Sequence, residues 1–360
     1  MKTRNVMILA MLGSFAGTAL AQSSSVNIYG IIDQGVSRMD GGQSTLTFVQ
    51  APLIGRPSTW TVRSATSSRL GFRGSEELGG GMKANFQIEH RFMPDTGAVE
   101  PRDGALTTVF WNAQSWVGLS GGFGEVRLGR QFVPAYQVAL NSDPWTYAYN
   151  VAGASSFTRG GNGVLAANNA VVYQTPNLAG FTAEVMIAAG EGGAAVVNPP
   201  AGRIGRNEGA NVQYAAGPLW AGVGYNNSRQ EGTPIKNRYW NLGIAYDFGF
   251  VRPILSYSVG NNNVAGNPDT RTYFIGATAP LGAGRIKAVA ARYDAAVGQN
   301  FNSANPFLPQ LTGGENTTKF GLGYEYFFSK RTSVHADVGT AKTEGVSRTT
   351  GVEAGIKHVF

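Results

Sequence analysis

The chain has 360 residues and a formal net charge of +7, yet only 14% of them are charged, where soluble proteins carry about 25%. Glycine supplies 50 residues, about twice the usual ~7%, and aromatic residues make up 11%. A mean hydropathy of −0.12, with no apolar run of ~20 residues, excludes a helical membrane protein. The glycines follow no triplet period, which excludes collagen, and the aromatic and β-branched content excludes a disordered chain. What remains is a large β protein whose apolar residues are dispersed by alternation.

In chain order, residues 1–21 come first. Lys2 and Arg4 form a basic start, Val6 to Leu20 is mostly apolar, and Ala19-Leu20-Ala21 supplies a small-x-small motif before Gln22. This pattern reads as a cleaved export signal. Cleavage there leaves 22–360 as one domain and lowers the net charge from +7 to +5, since it removes two basic residues and no acidic one. The chain has no cysteine, so disulfides, thiolate metal sites and a cysteine nucleophile are excluded, and a closed sheet is one way for an exported chain to hold together.

Beyond the signal, period-two alternation dominates and convincing helices are almost absent. Arg69 and Arg73 share a parity with Gly71 and Ser75, opposite Leu70 and Phe72. From Met82 to Arg91, Ala84, Phe86 and Ile88 alternate with Lys83, Asn85, Gln87, Glu89 and Arg91. Glu125 and Arg127 oppose Val126 and Leu128, while Arg130 breaks that parity. Phe132 through Ala167 carry no sustained alternation, and loops of that length are functional or disordered. Pro134, Tyr136, Pro144, Trp145, Tyr147 and Tyr149 suit a packed loop, whose only charges are Asp143 and Arg159. Alternation resumes at Trp240, Leu242, Ile244 and Tyr246, and again at Phe320, Leu322, Tyr324 and Tyr326. At the end, Val352, Ala354, Ile356, His358 and Phe360 share one face.

Such strands have one apolar and one polar face. Seven clusters rich in Gly, Pro, Asn and Ser mark tight reversals: 77–81, 120–124, 176–180, 216–218, 247–249, 280–284 and 328–332. They divide the chain after residue 21 into eight segments, each long enough for two strands of ~10 residues and a longer connection. The expected fold is therefore an all-β, 16-stranded antiparallel transmembrane barrel. Short turns lie at one end, long loops at the other, and both termini lie at the short-turn end. Sixteen strands enclose a lumen too wide for side chains to fill, which leaves an aqueous channel.

Five stretches add a family resemblance: Ser25–Asp33 (SVNIYGIID), Ser68–Gly79 (SRLGFRGSEELG), Trp116–Leu119 running on to Gly129-Arg130-Gln131, Asn169–Pro176 (NAVVYQTP) and Gly355–Phe360 (GIKHVF). In this order they resemble the trimeric Gram-negative porins of the neisserial and betaproteobacterial type, across the whole chain after residue 21. The resemblance implies a homotrimer and passive diffusion of ions and small hydrophilic solutes. It also implies a third loop folded into each pore, and a terminal signal, with Phe360 at its centre and Ile356 and His358 on the same face, read by the barrel-assembly machinery. No cofactor is implied.

Rings of charged side chains set the barrier for ions in a pore. Arg69, Arg73, Lys83, Arg91, Arg127 and Arg130 form the candidate basic lining, with Asp33, Glu89, Glu125 and loop residue Asp143 as counter-charges. The basic excess points to weak anion selectivity; the plainer reading is that individual arginines fill the lumen or meet lipopolysaccharide at the rim. An enzyme would need a His paired with a carboxylate or a nucleophile. His90 shares the parity of outward Phe86 and Ile88, and His358 falls at the rim. His335 and Asp337 follow a short turn, toward the periplasm, so a structural or girdle role is expected for all three histidines. No contiguous basic patch for nucleic acid occurs. A barrel of this size could also serve as a substrate-specific channel or, at a greater distance, as an adhesin.

Overall fold

The computed structural model describes residues 24–40, 60–100, 109–146, 148, 150–155, 158, 164–190, 204–230, 236–261, 269–294, 316–344 and 348–360. The export signal expected at 1–21 and Arg159 lie outside the described residues. The strands are β1 (Ser24–Asp40), β2 (Trp60–Arg63), β3 (Ser68–Gly79), β4 (Met82–Phe92), β5 (Gln114–Gly121) and β6 (Gly124–Phe132). A short helix, α1 (Pro134–Asn141), follows. The chain continues with β7 (Ala166–Gln174), β8 (Phe181–Ala188), β9 (Ile204–Ala216), β10 (Leu219–Gln230), β11 (Lys236–Tyr246) and β12 (Arg252–Asn261). It ends with β13 (Thr270–Leu281), β14 (Gly284–Asp294), β15 (Thr317–Phe327), β16 (Thr332–Thr343) and β17 (Thr349–Val359).

From β3 onward each strand pairs antiparallel with the next, and β1 closes the sheet by pairing with β17 from Ile31↔Val359 to Asp40↔Thr350. On its other edge β1 meets β3 through Ser24–Ile31 and β2 through Gly35–Arg38. β2 and β3 are thus one staggered position in the wall, interrupted at Ser64–Ser67, and the barrel has sixteen strand positions. The seven expected turns all occur, and every longer connection lies at the opposite end. Closure removes both sheet edges, which in lipid would leave unpaired backbone groups.

Alternation sorts the side chains as a lipid-facing wall requires. On β11, Trp240, Leu242, Ile244 and Tyr246 are exposed, while Tyr239, Asn241, Gly243 and Ala245 are buried. Outward aromatic residues, exposed or half-buried, collect at the two ends of the wall. At the short-turn end, Phe181 meets Tyr214 at 4.7 Å between ring centroids, and Tyr246 meets Phe248 at 4.6 Å. Toward the long loops, Tyr257 lies 5.2 Å from both Trp240 and Tyr273. Leu242, Leu255, Ile275 and Leu322 fill the band between. Two aromatic girdles around an apolar belt mark an outer-membrane barrel.

The 132–167 connection is packed rather than extended. Pro134 occupies the first helical position, where its missing N–H costs nothing. Ser142 ends α1 with its backbone N–H on Val138 O at 3.1 Å. Val133, Tyr136 and Ala139 pack with Leu165, Val172 and Met186, while Trp145, Ala148, Ala152 and Ala154 pack with Phe274, Val289, Ala291 and Tyr293. These wall residues are inward-facing, so the connection lies against the inner surface of β7–β16.

Candidate pore lining

Charge dominates the inner wall of β3–β6, and the strand register explains how. Arg69 is the Cα partner of Arg91 across β3 and β4. The Arg91 Nε–H donates to Glu89 Oε1 at 2.8 Å, and its guanidinium lies 5.3 Å from the Phe132 ring centroid. Glu89 also accepts from Tyr29 OH at 3.0 Å. Arg69 donates its Nε–H to Ser67 O at 3.1 Å and makes no ion pair among the described residues. Arg127 pairs closely with Glu184 on β8, lies 3.8 Å from Glu125 and stacks over Trp116 at 5.5 Å. Glu125 accepts from Asn85 Nδ2 at 2.9 Å.

Arg130 owes its direction to backbone geometry. Gly129, at φ +132°, sits at a register shift between Gly129 and Gln131, a bulge that reverses the side-chain parity beyond it. The Arg130 guanidinium donates to Asn112 O at 2.8 Å and to Asn168 Oδ1 at 2.6 Å. Arg73 and Lys83 lie nearer the short turns. Arg73 is exposed, with its guanidinium 5.2 Å from the Tyr29 ring centroid. Lys83 pairs with Glu77 at 2.6 Å, both side chains more than 40% exposed.

A second charged cluster spans β1, β2 and β14–β17. His335 lies between two carboxylates, with Nε2 3.1 Å from Asp33 Oδ1 and Nδ1 3.1 Å from Asp337 Oδ2. Asp33 also accepts from Thr66 N at 2.9 Å, and Asp337 from Trp145 Nε1 at 2.9 Å. Arg63 Nη2 reaches Glu353 Oε2 at 2.6 Å, both side chains nearly inaccessible. Glu325 holds Lys287 at 2.7 Å and pairs closely with Lys357. Asp143, on the inner-wall segment, accepts from Trp145 N at 3.0 Å and is buried.

Between the clusters the inner wall buries no charge among the described residues, and Arg252, near the short turns, is half-buried on the inward parity of β12. The buried polar residues of β9–β13 are Asn207, Asn211, Asn226, Asn241 and several Ser and Thr, with no buried charge among the described residues. Here Asn side chains hold the 132–167 segment by its backbone. Asn211 Nδ2 donates to Pro134 O at 2.8 Å, and Asn241 Nδ2 to Ala135 O at 3.0 Å and Thr158 O at 3.1 Å. Asn241 thereby ties the outgoing arm of the segment to its returning arm.

The three histidines take different settings. His335 points inward, not into a girdle, because it shares the parity of buried Ser333 and Asp337 while Ala336 and Val338 face out. His90 does lie on the outward parity, but it is buried between Phe110 and Phe92, at 4.1 and 5.9 Å between ring centroids, since the connection after β4 folds back over it. At the rim, His358 Nδ1 meets Thr332 Oγ1 at 2.9 Å and Ile356 is exposed. Phe360 exchanges backbone hydrogen bonds with Gly30 at 3.0 and 3.1 Å, and its ring fills the space beside Gly30 that a side chain would occupy. Arg63, Glu184, Lys319 and Glu353 belong to the lining but are not singled out by the sequence. Glu353 and Lys319 alternate with outward residues and were accessible by parity; Glu184 shows no signal until β8 is set near β6.

Comparison with known proteins agrees with this geometry. The family model described as Gram-negative porin matches residues 9–346. Outer membrane porin protein 32 of Delftia acidovorans is 30% identical over 99% of both chains. An outer membrane porin protein of Bordetella pertussis is 28% identical over 99% of this chain and 100% of its own. The solved structure of an anion-selective porin from Comamonas acidovorans superimposes with a TM-score of 0.73 at 29% identity, covering 94% of this chain and all of that one. With a closed sixteen-position barrel, an outward apolar belt and a polar inner wall, the chain belongs to the Gram-negative porins, passive channels of the outer membrane.

Proposed function

We propose that this porin passes ions and small hydrophilic solutes with a weak preference for anions, and that the 133–165 segment narrows its lumen. The observation that carries the preference is Arg69: an inward cation facing Arg91 across the strand pair, held by a carbonyl and without an ion pair among the described residues. The net charge of +5 after residue 21 and the anion-selective character of the Comamonas porin support the same reading. A fixed basic excess concentrates anions in a water-filled passage and raises the barrier for cations. No catalytic role is assigned, since His335 has carboxylates on both sides in place of a nucleophile.

Reversal potentials across planar bilayers under a salt gradient test the preference. The parent should lie on the anion side, and Arg69→Ala should move it toward the cation side; a cation-selective parent overturns the reading. Current linear in salt marks a general channel, and saturation marks a substrate-specific one. Family membership further supports a homotrimer in lipid and lipopolysaccharide, with residues 1–21 removed on export and Phe360 read by the barrel-assembly machinery.

A further inference from the structure

A row of small residues crosses the inner wall beneath the 132–167 segment. Strand register places Gly222, Gly243 and Ser256 side by side on β10, β11 and β12. One inward step along β13, the row resumes as Gly276, Gly321 and Gly339 on β13, β15 and β16, interrupted on β14 by Val289, which packs against the segment. From Ala135 to Ala152 the segment crosses the wall from β10 to β15 and β16. A Cβ added at Gly224 would lie 2.6 Å from Ala135 Cα, and one at Gly276 would lie 2.7 Å from Pro144 Cγ. One at Gly243 would collide with Ser142 Oγ. At Gly321 and Gly339 the obstacles are the carbonyl oxygens of Ala152 and Val151.

Two features separate this row from ordinary glycine-rich sheet. The obstacles at Gly321 and Gly339, as at Gly224 one inward step along β10 from the row, are backbone atoms of the segment, which no rotamer change can move aside. At Gly321 and Gly339 the hydrogen in place of Cβ faces a carbonyl oxygen, the arrangement of a Cα–H···O contact. Glycine weakens a strand and is found where another backbone approaches closely. Here the approaching backbone belongs to the same chain.

We propose that this row is a seat: its glycines are positioning residues that set how close the segment lies to the wall, and so how much of the lumen stays open. The inference rests on the reading that the segment narrows the pore. The wall strand is held by hydrogen bonds on both edges, whereas the segment is held by scattered side-chain contacts. An added methyl group therefore moves the segment and not the wall. A seat filled at Gly321 or Gly339 lifts residues 142–152 off the wall and into the passage.

The test compares Gly321→Ala, Gly339→Ala and, as control, Gly122→Ala, where an added Cβ meets nothing within 4 Å. The full-length protein is purified in detergent and checked for heat-modifiable barrel mobility. Hydrogen exchange by mass spectrometry reports the segment, and single-channel current reports the pore. The seat requires faster exchange across residues 142–152 and a smaller current step in both wall variants, with neither change in Gly122→Ala. Unchanged exchange in folded Gly321→Ala and Gly339→Ala overturns the seat. Faster exchange with an unchanged current step upholds the seat and overturns the narrowing role. If both fail to fold, Gly276→Ala, whose added Cβ meets the Pro144 ring at 2.7 Å instead of a carbonyl oxygen, fills the seat more mildly, and unchanged exchange around Pro144 in that variant overturns it equally.

Discussion

The inward faces of β3–β6 and of β9–β13 are built on the same alternating pattern, yet they hold opposite kinds of residue. The first carries Arg69, Arg91, Arg127 and Arg130 with Glu89 and Glu125 among them; the second carries Asn, Ser, Thr and Gly with no buried charge among the described residues. The difference follows from what each face meets. On the charged face, guanidinium and carboxylate groups satisfy one another: Arg91 with Glu89, both nearly inaccessible, and Arg127 with Glu184 and Glu125. The neutral face meets the backbone of the 132–167 segment, which offers carbonyl oxygens that an Asn amide satisfies and a charge would not. The inner wall is thus divided into a side of paired charges and a side that packs against the backbone of the 132–167 segment.

Three substitutions probe this division, all read by urea-driven unfolding of the protein in lipid vesicles. Arg63→Ala should have the largest effect, because it leaves Glu353 buried without its cation; breaking a buried pair costs about 3–5 kcal/mol. Asn241→Ala, on the neutral face, removes two hydrogen bonds to carbonyls, a loss of about 1–2 kcal/mol. A cost equal to that of Arg63→Ala would erase the contrast between paired charge and amide support. Lys83→Ala should be smallest, at most about 0.5 kcal/mol, since its pair with Glu77 is exposed at a turn and screened by solvent. A larger loss there would place Lys83 within the buried network.

Much of the barrel was legible in the chain. The seven turns, the outward run of Trp240, Leu242, Ile244 and Tyr246, and the packed character of 132–167 follow from local rules. The inward parity of Arg69, Arg91 and Arg127 was legible too, while that of Arg130 was not, because one glycine at φ +132° reverses it. His335 illustrates the other limit. Its parity with Asp337 was plain, but Asp33 reaches it only because β1 closes on β17, a pairing between the two ends of the chain.

Alternation and turn chemistry are local, so strand count, the face of each residue and the side on which long connections lie could be read from neighbours a few residues apart. Partnership inside the lumen is not local. Arg63 with Glu353, Arg127 with Glu184 and Trp145 with Asp337 join residues far apart in sequence, and which strand faces which depends on closure and stagger of the whole sheet. The glycine row shows this most plainly. Each glycine taken singly is one of 50, and only the register of adjacent strands aligns them into a track against which a backbone can lie.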